Sequence, residues 1–194
     1  MIQAIIFDCF GVIITDALQA VCDELRKTDP EGTKQIKDLI KASNRGFIAP
    51  AQSSEQVARI LGVTTAEYHS MIADGEHKDQ RLLDYIAGLR GSYKTAMLSN
   101  IGTASLERRF TAQELTECFD VVIASAEVGH AKPEARVYEI TAERLGVPLN
   151  ACIFVDDREL YLEGARAVGM QTILYKDFSI FTKDLERAIN RFEK

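Results

Sequence analysis

Ala4-Ile5-Ile6-Phe7 runs without a polar break into Asp8, and Gly11 follows three residues later. A short apolar run without alternation, rich in β-branched residues, is the pattern of a strand buried on both faces. Such a strand has no reason to end on a carboxylate unless its carboxyl end opens to solvent or a ligand. In open α/β sheets that end is where ligands bind. Asp is also a common turn and cap residue, so the meaning of Asp8 depends on what the chain places beside it.

From residue 79 onward the chain supplies the rest of a sheet. A helix over 81–89 precedes a strand over 95–98 that runs into Ser99-Asn100, and helical segments over 103–118 precede a strand over 121–124. A helix over 134–145, opened by Pro133 and closed by Gly146, leads to a strand over 151–155 that ends in Asp156-Asp157. A helix over 160–168, a strand over 171–174 and an amphipathic helix over 181–192 complete the pattern. Strands alternating with helices predict an α/β fold, a doubly wound parallel sheet. Residues 16–78 differ. Leu18, Val21, Cys22 and Leu25, and then Ile36, Leu39 and Ile40, recur at helical spacing, and no strand is visible. They read as a small all-helical insertion of four helices. Pro30-Glu31-Gly32 and Ile48-Ala49-Pro50 are its turns, Ser53-x-x-Gln56 and Thr64-x-x-Glu67 its capping boxes, and 74–78 its return hinge. The expected division is a core of 1–15 and 79–194 with an insertion of 16–78.

A chain of 194 residues suits one core domain with such an insertion. A net charge of -6 argues against a nucleic-acid partner. No apolar run approaches the ~20 residues of a membrane span, and the first apolar stretch carries Asp8 and no basic lead, unlike a signal peptide. Cys9, Cys22, Cys118 and Cys152 show no metal-site spacing and read as reduced, buried thiols of a cytoplasmic protein. Cys152 and Arg158 stand at the C-x5-R spacing of a cysteine-phosphatase loop, but the intervening Ile-Phe-Val-Asp-Asp is a strand with two acids, not an anion cradle. The two carboxylates should raise that thiol's pKa.

Three strands therefore end in polar groups: Asp8, Ser99-Asn100 and Asp156-Asp157. Lys132 lies in the loop after the third strand, Glu127-Val128-Gly129-His130-Ala131-Lys132-Pro133. Parallel strands would bring all of them to one sheet edge. An aspartate there can attack phosphorus and divide one hard displacement into two easier ones. A phosphate dianion repels that carboxylate, so a Mg²⁺ ion is needed to bind both. Asp8 and Asp157 can ligate it with the Phe10 carbonyl, while Asp156 is a ligand or orients one. Lys132 offers charge, and Ser99 a hydroxyl, to the transferring group.

In its motifs Ile-Phe-Asp8-x-x-Gly-Val, Leu-Ser99-Asn100, Gly129-x-x-Lys132-Pro133 and Val-Asp156-Asp157, the sequence resembles the haloacid dehalogenase-like hydrolase superfamily over essentially its whole length. The resemblance implies a Rossmann-like core with the first strand beside the Asp156-Asp157 strand, and it makes the insertion a cap over the site. It implies Asp8 as nucleophile with Ser99 and Lys132 as catalytic partners. Cys9, Phe10, Asn100 and His130 would meet the substrate, a small phosphorylated metabolite, and Asp8, Phe10, Asp156 and Asp157 would hold Mg²⁺.

Two departures from the family pattern stand out. Phe10 occupies the position where phosphatase members usually carry a second Asp, the general acid, and Tyr161 stands where relatives often carry Asn. Two other readings follow. A metal-independent dehalogenase also uses a lone Asp followed by an aromatic residue and Gly, but the acidic pair would then be costly. A non-catalytic phosphate- or partner-binding module is the other.

Overall fold

The computed structural model describes residues 1–190, apart from the side chains of residues 103 and 104. Residues 191 and 192 of the expected last helix lie outside the described residues. The chain divides into two units, one of Met1–Ile13 with the chain from Asp79 onward, the other Ile14–Lys78. Ile14 belongs with the insertion because it bridges Lys78 antiparallel, with Thr15 N–H donating to the His77 carbonyl at 3.1 Å.

The larger unit is a five-stranded sheet, every pair parallel. Its strands are β1 (Ala4–Phe7), β2 (Lys94–Ser99), β3 (Val121–Ala124), β4 (Cys152–Asp156) and β5 (Gln171–Leu174), in the order β3-β2-β1-β4-β5. The first strand is central, and the winding reverses beside it, with Phe7 level with Met97 on one side and Val155 on the other. Alternation along β1 distributes its side chains. Ala4 and Ile6 pack with Ala96, Leu98, Phe154, Val137, Tyr138, Leu162 and Ala165 under the helices Ala135–Leu145 and Glu159–Ala167. Phe7 points the other way and meets the Phe181 ring edge-on at 5.7 Å, on the helix Phe178–Asn190. Burying such large side chains contributes about 1.5–3 kcal/mol each, which is why β1 is apolar throughout up to Asp8. The four cysteines are buried, and none forms a disulfide among the described residues.

The smaller unit comprises α1 (Ala17–Leu25), α2 (Pro30–Asn44), α3 (Pro50–Leu61) and α4 (Thr65–Gly75), packed on Cys22, Ile36, Val57, Ala58 and Tyr68. Thr64 and Glu67 form a reciprocal capping box. Two local expectations fail for one reason. Pro30 and Pro50 are not turn residues but first helical positions, where a missing N–H costs nothing and the fixed φ suits a helix. Asp29 caps α2 through Gly32 N–H at 2.8 Å. Ser53, expected as a cap, is buried inside α3 because Pro50 has already started that helix. Among the described residues no helix is long and apolar enough to cross a membrane.

The remaining helices of the larger unit are α5 (Gln80–Leu89), α6 (Thr103–Glu107), α7 (Ala112–Cys118), α8 (Ser125–Val128), α9 (Ala135–Leu145), α10 (Glu159–Ala167) and α11 (Phe178–Asn190). The short α8 runs into the first residues of the stretch expected as loop, Glu127 and Val128, and Gly129 stops it in the left-handed region at φ 70°.

Candidate active site

The carboxyl edge of the sheet carries the polar groups. Asp8 N–H donates to the Val155 carbonyl at 2.9 Å, so β1–β4 pairing persists one residue beyond the strand and fixes the Asp8 Cα. Asp156 is the last residue of β4, and Asp157 follows it. Carboxylate oxygens of Asp8, Asp156 and Asp157 lie within 4.8 Å of one another. Gly11, at φ 82°, makes this possible, since a Cβ there would sit 2.5 Å from the Asp157 carboxyl carbon.

Lys132 reaches this cluster from the loop between α8 and α9. Its ammonium meets Asp8 Oδ1 at 2.7 Å and Asp156 Oδ2 at 2.8 Å, and the Lys132 and Asp156 side chains are 0% exposed. Asn100, just past the end of β2, aims it: its side-chain nitrogen donates to the Lys132 carbonyl at 3.0 Å, and its oxygen accepts from Lys132 N–H at 2.8 Å. Asn100, expected at the substrate, thus holds the lysine backbone. Behind the loop, α10 approaches closely because residue 164 is glycine. A Cβ there would lie 2.7 Å from the Pro133 carbonyl and 3.0 Å from the Tyr138 hydroxyl.

The charges explain each other. Burial pushes the Asp8 carboxyl well above its ordinary value, the Asp156 charge adds to that, and the Lys132 ammonium opposes it. Burial alone would lower Lys132, yet Asp156 and Asp8 hold it above its ordinary value and charged. Asp8 Oδ1 also accepts from Cys9 N–H at 2.6 Å, and Asp156 Oδ1 from Arg158 N–H at 2.8 Å. Three carboxylates and one ammonium are gathered in a largely buried place. Clustered hard oxygen donors beside a glycine are a donor set that suits a small divalent cation such as Mg²⁺.

The other expected residues fall as follows. Ser99 closes β2, and its buried hydroxyl has no hydrogen-bond partner among the described residues. Buried hydroxyls of this kind are rare without a role. Phe10 is half-buried, with the Arg109 guanidinium 5.2 Å from its ring centroid. Cys9 is fully buried, and its backbone N–H reaches the site at Asp8 Oδ1. His130 Nδ1 lies 3.2 Å from Glu134 Oε2 on a half-exposed surface. Burial pushes the Cys152 thiol up to about 11. The direction is the one expected, but the cause is burial within β4 and not the nearby carboxylates.

Sequence reasoning missed the groups around Lys132. The Tyr161 ring lies 4.8 Å from its ammonium and the Phe154 ring 5.3 Å. The available signals were Tyr161 in place of Asn and a lone Gly164 inside a helical pattern, which marks close approach.

The chain is similar to several known proteins. Phosphatase MT3486 of Mycobacterium tuberculosis (strain CDC 1551 / Oshkosh) is 36% identical over 85 residues, covering 44% of this chain and 39% of that protein. D-ribitol-5-phosphate phosphatase of Bacteroides thetaiotaomicron is 27% identical over 205 residues, covering 98% of this chain and 100% of that one. A HAD family enzyme of Bacteroides thetaiotaomicron, solved in complex with magnesium and inorganic phosphate, superposes with a TM-score of 0.73 at 20% identity, over 93% of this chain and 99% of that one. The chain spans less than two thirds of the length of several curated relatives, 39% of the Mycobacterium protein and 14% of a rat epoxide hydrolase among them. The family model for haloacid dehalogenase-like hydrolases matches residues 2–169, and the chain belongs to that family.

Proposed function

We propose that the chain is a Mg²⁺-dependent phosphohydrolase acting on a small phosphorylated metabolite through an aspartyl-phosphate on Asp8. The observation that carries this reading is the cluster of Asp8, Asp156 and Asp157 within 4.8 Å, bridged by the buried Lys132. Similarity to phosphatases named above supports the substrate class. Asp8, Asp157 and the Phe10 carbonyl would hold the ion, with Asp156 fixing Lys132. When bound, the ion supplies charge that lets a carboxylate approach a phosphate dianion and stabilises the transferring group. A dehalogenase needs no cation and no clustered acidic pair at the end of β4, and gathering Asp8, Asp156 and Asp157 in a largely buried place without a metal is costly, which favours the phosphatase reading.

The residues then divide the work. An Asp8 oxygen attacks phosphorus, the bond to the leaving oxygen breaks, and that oxygen takes a proton from water. Lys132 and the Ser99 hydroxyl stabilise charge on the non-bridging oxygens. Water next attacks phosphorus, the bond to Asp8 breaks, and inorganic phosphate leaves with the carboxylate restored. Phe10 has no proton to give, so the first step loses an aid worth roughly 10²–10⁴ in rate.

The test is a panel of phosphate esters of graded leaving-group pKa, with Mg²⁺, on the natural protein, Asp8→Asn and Phe10→Asp. Aryl and acyl phosphates should turn over measurably and alkyl phosphates poorly. Asp8→Asn should abolish turnover, and Phe10→Asp should favour the alkyl esters. Wild-type phosphate release by Asp8→Asn, or turnover indifferent to a chelator, would overturn the reading.

A further inference from the structure

An ammonium carries three protons and no acceptor. Among the described residues two oxygens meet Lys132 Nζ, Asp8 Oδ1 at 2.7 Å and Asp156 Oδ2 at 2.8 Å. Aromatic faces line the same ammonium. Phe154 is a core residue of β4, packed edge-on to Tyr138 at 5.5 Å. Tyr161 is different: it stands half-buried on the first turn of α10 and is held at both ends. Its carbonyl accepts from the Tyr138 hydroxyl at 2.7 Å. Its own hydroxyl accepts from Arg158 Nη1 at 3.1 Å, and the Arg158 guanidinium lies 4.7 Å from the ring centroid. One ring therefore serves a buried cation and an exposed one.

We propose that Tyr161 is a positioning residue for Lys132: its ring is a wall that keeps the ammonium on Asp8 and Asp156 and directs the third proton to the phosphoryl oxygens. This inference rests on the phosphohydrolase reading above. A ring face attracts a cation through its quadrupole, most strongly where water is excluded. It offers no lone pair in a fixed direction, so it confines the charge without claiming a proton. An amide at the same place would present a carbonyl acceptor and compete with the substrate. The wall matters because a lysine is a point charge on a flexible four-carbon stem. Donors that are already aimed need no reorganisation as charge develops.

Tyr161→Leu removes the ring, and Tyr161→Phe keeps it while losing the hydroxyl. The first measurement is acetylation of Lys132 by acetic anhydride in the folded proteins, followed by peptide mass spectrometry. Labelling should rise about tenfold in Tyr161→Leu and stay near wild type in Tyr161→Phe. The second is inhibition by inorganic phosphate together with kcat and KM for p-nitrophenyl phosphate in Mg²⁺. Tyr161→Leu should weaken phosphate inhibition and lower kcat/KM about tenfold, and Tyr161→Phe should restore both to within about threefold. A ring that only fills space would lower Tm in Tyr161→Leu while leaving labelling and phosphate inhibition unchanged, and that result overturns the proposal. So does Tyr161→Phe behaving like Tyr161→Leu, because the hydroxyl and not the ring face would then hold the lysine. Should the natural protein hydrolyse no ester, the phosphohydrolase reading fails, and the labelling comparison alone decides whether Tyr161 holds Lys132.

Discussion

Replacing Lys132 by methionine keeps an unbranched, flexible side chain and removes the ammonium with its charge and its hydrogen bonds. The Lys132 and Asp156 side chains are 0% exposed and that of Asp8 7%, so the loss is that of a broken buried pair. Such a loss is about 3–5 kcal/mol, against about 0–1 kcal/mol for an exposed pair. Urea unfolding at pH 7 without Mg²⁺ should show a midpoint lowered by roughly 1.5–2.5 M for a slope near 2 kcal/mol/M. Without the ammonium, burial and the Asp156 charge act unopposed on Asp8 and lift its folded pKa still further. The folded variant then binds more protons than the unfolded chain, whose Asp titrates near 3.9. Stability accordingly falls as pH rises from about 4 through the raised pKa, and the deficit is smallest in acid. Adding Asp156→Asn to Lys132→Met should recover part of the loss, since one buried negative charge goes with it. A deficit under about 1 kcal/mol, or one that grows as pH falls, would refute this account.

Gly11→Ala should lower stability by about 1–3 kcal/mol through its positive φ and displace the Asp157 carboxylate that a Cβ would strike; Mg²⁺ titration of phosphate release should show half-saturation raised about tenfold, and an unchanged Mg²⁺ requirement would refute the displacement. Asp120 ties β2 to β3, its carboxylate accepting from the buried Thr95 N–H at 2.8 Å and from Arg90 at 2.7 Å. Burial alone would raise its pKa, but these donors outweigh it and hold the carboxyl below its ordinary value. Asp120→Ala should therefore cost about 1–3 kcal/mol at neutral pH by taking the carboxylate acceptor from the Thr95 N–H. The carboxylate's contribution is present above the unfolded pKa near 3.9 and disappears as pH falls through the lower folded value, so thermal melts of the two proteins should converge in that acid window.

Sequence alone determined the strands and where they open. An apolar run such as Ala4–Phe7 or Val121–Ala124 can be buried on both faces in only a few ways, and the alternating helices leave a parallel sheet as the answer. Parallel strands then carry their last residues to one edge, so the placing of Asp8, Ser99 and Asp156-Asp157 at that edge was legible before any coordinate. Capping chemistry was legible where the partners lie within one turn, as at Thr64 and Glu67, and illegible where a proline decided the start, as at Pro30 and Pro50. Tertiary structure alone decided what depends on approach between distant segments. Asn100 aiming Lys132, the Tyr161 ring against its ammonium, and the room left by Gly11 and Gly164 arise where loops meet helices at van der Waals distance. No periodicity encodes those meetings, because they depend on side-chain direction and on the packing of α10 against the loop behind Lys132.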